Sequence, residues 1–156
     1  MPTDAPTDLL PVWTGLTVAS LALFGVVVGL PTGAPDATEP ASTVDEVASS
    51  SYDASATVSF RTRSRVELRP HGLDRCRGDA CAHATFEFGP VVPVAADSSL
   101  AAVVAGVAPE SVFDSPATLR RAVERARQRA PVVTTTSELH ARHISWGEVD
   151  VTLVGT

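Results

Sequence analysis

The stretch "LDRCRGDACAHATFEFG", residues 73–89, decides the fold that this sequence predicts. From Cys81 onward its side chains alternate between apolar and polar, which is the period of two of a half-buried β-strand. A turn signal, Gly78-Asp79, precedes this strand. The segment therefore predicts a β-hairpin with one buried face, on which we place Ala82, Ala84, Phe86 and Phe88, with His83, Thr85 and Glu87 on the other face.

The two cysteines lie on either side of this turn. With Gly78-Asp79 as the turn, Cys76 and Cys81 face each other directly across the hairpin, and we favour a disulfide between them. Free thiols are an alternative, as is a zinc site. The Arg-Gly-Asp triplet at 77–79 is interpreted as turn chemistry and not as an adhesion ligand. The same register predicts the pairs Leu73–Ala84 and Asp74–His83, and the zinc alternative draws on Cys76, Cys81, His83 and either His71 or Asp74.

Two helices are predicted after the hairpin. Residues 97–107, "DSSLAAVVAGV", predict a short one because polar residues that favour helix starts precede an apolar run. A longer one is predicted over 116–130, with Ser115 as N-cap, Pro116 at the first helical position and Pro131 beyond its end. Its apolar stripe comprises Leu119, Ala122, Val123, Ala126 and Ala130.

The last segment predicts a second hairpin, "LHARHISW" and "VDVTLV" around a type II′ turn at Gly147-Glu148. "SRVELRP" at 64–70 predicts a further strand, in which Val66 and Leu68 alternate with polar residues. The predicted fold class is α+β, a small antiparallel sheet with helices packed on one side. One face of the second hairpin carries Ile144, Trp146, Val149, Val151 and Leu153.

Upstream of this domain, residues 9–30 form an uncharged apolar run, "LLPVWTGLTVASLALFGVVVGL". As a helix it would reach roughly 33 Å, which is enough to cross the hydrocarbon core of a bilayer. A cleaved signal peptide is the main alternative, but residues 1–8 lack the basic residues that such a leader carries. The sequence therefore predicts a short tail at 1–8 and a retained single transmembrane helix at 9–30.

Residues 31–57 are rich in Pro, Ala, Ser and Thr and are acidic. This composition predicts a mobile linker. Thr43 and Glu46 have the spacing of a capping box, so a short helix over 43–50 is the one ordered element that we expect there. The predicted globular domain then covers residues 58–156.

The charge pattern limits the expected function. The net charge is −6, and all twelve basic residues are Arg. An acidic total argues against nucleic acid as a partner. The helix at 116–130 nevertheless concentrates positive charge, and this candidate interaction surface consists of Arg120, Arg121, Arg125, Arg127 and Arg129.

No motif in the sequence points to catalysis. His140 and His143 lie three apart on a predicted strand, so they point to opposite faces and do not share a metal easily. We find no nucleophile–base spacing, phosphate loop or paired carboxylates, and we expect no catalytic, cofactor-binding or metal site. The protein is therefore predicted not to be an enzyme.

Five stretches of the chain carry a family resemblance: "VWTGLTVASLALFGVVVGLP" (12–31), "TVDEVASSSY" (43–52), "AHATFEFGPVVPV" (82–94), "SPATLRRAVERARQ" (115–128) and "DVTLVGT" (150–156). In these stretches the chain resembles an uncharacterised family of small single-span membrane proteins from haloarchaea. The resemblance implies no established activity, and it implies an association with gene clusters for archaeal type IV pilus-like or secretion machinery. The cysteine pair is not typical of that family.

Three hypotheses follow for the function. The first is a non-enzymatic protein anchored in the cell membrane, whose domain faces outward as a subunit of a pilus-like or secretion assembly. The second is a surface module that binds a ligand or metal through the hairpin from Cys76 to His83. The third is an adaptor that faces the cytoplasm and uses the Arg-rich helix. Lipid around residues 9–30 is the one partner common to all three.

Overall fold

A computed structural model describes residues 33–156 of the chain. The compact unit in it spans Ala34–Thr156. The predicted tail at 1–8 and the predicted transmembrane helix at 9–30 lie outside the described residues. Among residues 33–156, no helix has the length and apolar character needed to cross a membrane.

Four helices and six strands make up the described unit. The helices are α1 (Thr38–Ala48), α2 (Leu100–Val104), α3 (Pro109–Val112) and α4 (Pro116–Arg129). The strands are β1 (Ala54–Arg69), β2 (Gly72–Arg77), β3 (Ala80–Thr85), β4 (Val92–Pro93), β5 (Val132–Trp146) and β6 (Val149–Gly155).

The six strands form one sheet in the order β3-β2-β1-β5-β6-β4. All neighbouring strands run antiparallel except β4, which pairs with β6 in parallel. The fold class is therefore α+β as predicted, but the sheet is mixed and not purely antiparallel. A parallel contact needs a long crossover between the strands, and the segment containing α2, α3, α4 and β5 provides it.

Helices cover both faces of the sheet. Side chains of adjacent residues in a strand point to opposite faces. Leu153 of β6 packs in one core with α2 and α4, and its neighbour Val154 packs in a second core with α1. The prediction that the helices pack on one side is therefore wrong, because it left out α1.

Residues 34–57 belong to the folded unit. Helix α1 buries Ala41, Val44 and Val47 against the sheet. The predicted mobile linker is therefore wrong for this segment: its apolar residues recur every three or four positions, as on one helix face. The short helix predicted at 43–50 is the second half of α1, and the predicted domain start at residue 58 moves back to Ala34.

The first hairpin has the predicted register. Cys76 pairs with Cys81, Leu73 with Ala84, and Asp74 with His83. Gly78 has φ of +60°, which suits the first turn position after Arg77. Phe88 departs from the prediction and is 52% exposed, because β3 ends at Thr85 and the chain then turns toward α1.

The other predicted elements are present with altered lengths. Helix α4 begins after the N-cap Ser115, whose hydroxyl accepts the N–H of Thr118. The helix predicted at 97–107 is shorter because Gly106, at φ +109°, interrupts it before Pro109 starts α3. Strands β1 and β5 extend well beyond their predicted segments and pair with each other at the centre of the sheet.

Candidate binding surfaces

The two cysteines form a disulfide across the first hairpin. Cys76 and Cys81 have an S–S distance of 2.05 Å and a Cα–Cα distance of 4.1 Å. Because the two sulfurs are bonded to each other, neither is available as a thiolate ligand for the zinc site considered above. Within residues 33–156, no group of three or more His, Cys, Asp or Glu side chains is arranged to bind a metal ion.

Charged side chains surround Asp74 on the polar face of this hairpin. Asp74 contacts His83 at 2.6 Å and also accepts a hydrogen bond from Arg69. Arg69 in turn bonds Glu67 at 2.6 Å. Desolvation acts to lower the pKa of Arg69, but Asp74 and Glu67 act to raise it and the result is a raised pKa. These partly exposed contacts link β1, β2 and β3 across the polar face, and exposed pairs of this kind contribute little to stability.

The two histidines of β5 lie on opposite faces, as their spacing predicts. His143 is buried, and its Nδ1 lies 3.2 Å from Thr152 Oγ1. His140 is partly exposed, and its Nδ1 lies 2.9 Å from Thr57 Oγ1. Each therefore serves a separate local contact, and the two do not form one site.

A groove of about 620 Å³ runs between α1 and β3. Its wall on the helix includes Ala41, Asp45 and Glu46, and its wall on the strand includes His83 and Ala84. The sequence prediction missed this groove because it left α1 out of the domain. The apolar residues of α1 have the spacing of one helix face, and this spacing is the sequence signal for the face that the helix buries. It also indicates the side of α1 on which the groove lies.

Strand β3 forms one edge of the sheet, since β2 is its only strand neighbour among the described residues. The short Cα–Cα distance at Cys76–Cys81 marks a non-hydrogen-bonded pair, so the backbone N–H and C=O of Cys81 point away from β2. Because the direction of these backbone groups alternates along the strand, the backbone N–H and C=O of His83 and of Thr85 also point away from β2. Three residues thus present backbone donors and acceptors at this edge.

Asp45 fixes one end of the groove. Its Oδ1 accepts the backbone N–H groups of Glu87 and Phe88, each at 2.9 Å. This contact ties the segment after β3 to α1 and so joins the two walls at this end. Glu46 and Glu87 are exposed beside it, which makes this end of the groove acidic.

The Arg-rich helix divides into two faces in the structure. Arg120 bonds Glu148 at 3.0 Å and Arg127 bonds Glu124 at 2.9 Å. At about 100° per residue these two arginines share one face of α4. The remaining members of the predicted surface, Arg121, Arg125 and Arg129, lie on the other face.

The second face of α4 borders a cavity of about 190 Å³. Arg125 and Arg129 line it from the helix, and Asp97 and Ser98 line it from the loop before α2. The five arginines thus lie on two faces of α4, one whose arginines pair with glutamates and one that borders a cavity. Their role as an interaction surface stays a prediction. No pattern in the sequence brings Ser98 to these arginines, since a long stretch of chain separates them.

A family model described as a family of unknown function, DUF7283, matches residues 4–144. No curated protein and no solved structure matches the chain. Because the match covers well over half of the sequence, the chain belongs to the DUF7283 family, whose function is unknown.

Proposed function

We propose that this protein is a non-enzymatic, membrane-anchored binding protein, whose domain stands outside the cytoplasm and holds a partner subunit of a pilus-like or secretion assembly. Residues 9–30 would supply the anchor. The disulfide between Cys76 and Cys81 supports an oxidising compartment for the domain, because such bonds persist mainly in exported proteins. It argues against the cytoplasm-facing adaptor.

The outward edge of β3 beside the α1 groove carries the proposal. An extended segment of a partner can add to an unpaired sheet edge through main-chain hydrogen bonds, while the groove receives alternate side chains. Apart from His83, the side chains of β3 are small, so a neighbouring strand can approach closely. The edge carries neither Lys nor Pro, which are the residues that commonly block such pairing.

The charge of the groove selects its occupant. Glu46 and Glu87 lie exposed at the end that Asp45 closes. An extended partner segment with a basic side chain at that end complements these carboxylates. A second copy of this chain fits less well, since it has no Lys and its own β3 carries no Arg.

The test compares two substitutions at one position. His83→Pro removes an outward-pointing N–H and keeps the backbone hydrogen bonds to β2, whereas His83→Ala keeps that N–H. Both substitutions remove the contact of the His83 side chain with Asp74, so this loss is matched between them. We expect partner subunits to co-purify from membranes with the wild type and with H83A, but not with H83P. Equal recovery with H83P, at unchanged thermal stability, would rule out strand addition at this edge.

A second measurement addresses the location of the domain. A reporter that is active on only one side of the membrane, fused after Thr156, should be active outside the cytoplasm. Carbonate washing should leave the full-length protein in the membrane fraction. Reporter activity in the cytoplasm or release by carbonate would contradict the anchored, exported arrangement.

A further inference from the structure

We infer that the cavity between α4 and the loop before α2 is a binding site for a small organic monocarboxylate. It lies apart from the β3 edge, so the inference does not rest on the proposed function. Three observations carry it: the two arginines on its wall, the unpaired buried hydroxyl of Ser98, and an apolar floor.

The arginines supply the recognition. Within the described part of the chain, neither Arg125 nor Arg129 forms an ion pair, whereas Arg120 and Arg127 on the opposite face are each paired with a glutamate. Two guanidinium groups one helical turn apart present several N–H donors toward the same space. A planar carboxylate accepts two parallel N–H bonds from a guanidinium, as a phosphate also does, so the net charge of the walls decides between these anions.

Ser98 provides a further polar contact. Its Oγ is buried and has no hydrogen-bond partner among residues 33–156. A buried hydroxyl without a partner is costly, so such an atom commonly marks a place that water or a ligand occupies. Since Ser98 lines the same cavity as the two arginines, a bound carboxylate oxygen would satisfy it.

The net charge of the walls sets the charge of the ligand. Arg125 and Arg129 contribute two positive charges and Asp97 contributes one negative charge. One negative charge on the ligand therefore neutralises the site, which favours a monocarboxylate over a doubly charged phosphate. Leu100, Ala122, Ala126 and Val132 form much of the remaining lining, so the ligand carries a short apolar body.

The volume of the cavity limits the size of the ligand's apolar body. A volume of about 190 Å³ suits a small molecule of a few carbon atoms and excludes a folded partner. Butyrate is therefore a suitable probe. Butylammonium is also unbranched, has the same number of carbon atoms and carries the opposite charge, and it serves as the matched control ligand.

The experiment is an NMR titration of the full-length protein with each probe. We expect butyrate to cause saturable shifts in the amides of residues 97–100 and 125–129, and butylammonium to cause none at the same concentrations. The variant R125A/R129A should bind butyrate about tenfold more weakly or worse, since it lacks both charge-assisted contacts. Both arginines are exposed, so the variant is expected to fold.

The variant R120A/R127A is the matched control, because it removes the same charge from the same helix. We expect its affinity for butyrate to stay within about twofold of the wild type. Ser98→Ala should weaken binding without changing the selectivity for the anion. Equal responses to the two probes, or wild-type affinity in R125A/R129A, would overturn the inference.

Discussion

The guanidinium of Arg75 lies over the ring of Phe60, 4.0 Å from the ring centroid. Arg75 is only 8% exposed, and it donates from Nε to Ser64 Oγ at 3.1 Å and from Nη1 to the carbonyl of Asp36 at 2.8 Å. Burial lowers the pKa of Arg75, and the nearby positive charge of Arg77 lowers it further. The residue thus joins the start of the folded unit to β1 and β2.

Replacing this arginine should destabilise the domain. Arg75→Met removes the cation–π contact and leaves Ser64 Oγ and the Asp36 carbonyl without their donor, so we expect the free energy of unfolding to fall by about 2 kcal/mol. Urea denaturation monitored by circular dichroism measures this. Arg63→Met, at an exposed position of the same sheet, is the control and should stay within about 0.5 kcal/mol of the wild type.

Helix α1 should contribute to stability as a core element. Val44 is 1% exposed, and truncation to Ala should lower the free energy of unfolding by about 2 kcal/mol through lost burial and the cavity left behind. Glu46→Ala, on the exposed side of the same helix, should change it by less than about 0.5 kcal/mol. If both variants proved equally neutral in denaturant titrations, α1 would not be packed as described.

The hairpin disulfide should stabilise the domain modestly. It closes a loop with a sequence separation of 5, so chain entropy predicts a loss of about 2 kcal/mol in C76S/C81S. Thermal unfolding with and without a reducing agent checks this. Reductant should lower the Tm of the wild type and leave that of the double variant unchanged, whereas equal sensitivity of both would contradict the assigned bond.

Two glycines with similar backbone angles should differ in their tolerance of alanine. Gly78 and Gly147 have φ of +60° and +63°, which costs an alanine about 1 kcal/mol at either position. A Cβ at Gly147 would in addition lie 3.1 Å from Pro116 Cγ, whereas one at Gly78 has no atom within 4 Å. We therefore expect G147A to unfold at lower urea than G78A, and the reverse order would contradict this packing.

The hairpins and α4 follow from the sequence because their signals are local. In the first hairpin, Gly78 sets the turn and the alternation on each side sets the register. Ser115, Pro116 and Pro131 mark the ends of α4 in the same way. Such features depend on residues that are close in the sequence, so tertiary contacts change them little.

The sequence did not predict the full extent of α1 and of the central strands, because their signals are weak or depend on residues far apart in the chain. In α1, alanines and valines on one face are separated by Pro, Ser and Thr, a composition shared with linkers. The early part of β1 alternates small alanines with polar residues, so its period of two carries little hydrophobic contrast. The cavity at Arg125 and Ser98 depends wholly on tertiary packing, which a local pattern does not encode.

The pairing of β1 with β5 also determines when the domain is able to fold. Ala54 pairs with His143, so the middle of the sheet joins the beginning of the folded unit to its last third. During synthesis β1 emerges long before its partner, and this contact of large sequence separation forms only after β5 has been translated. Until then the nascent polypeptide lacks the central ladder of its sheet.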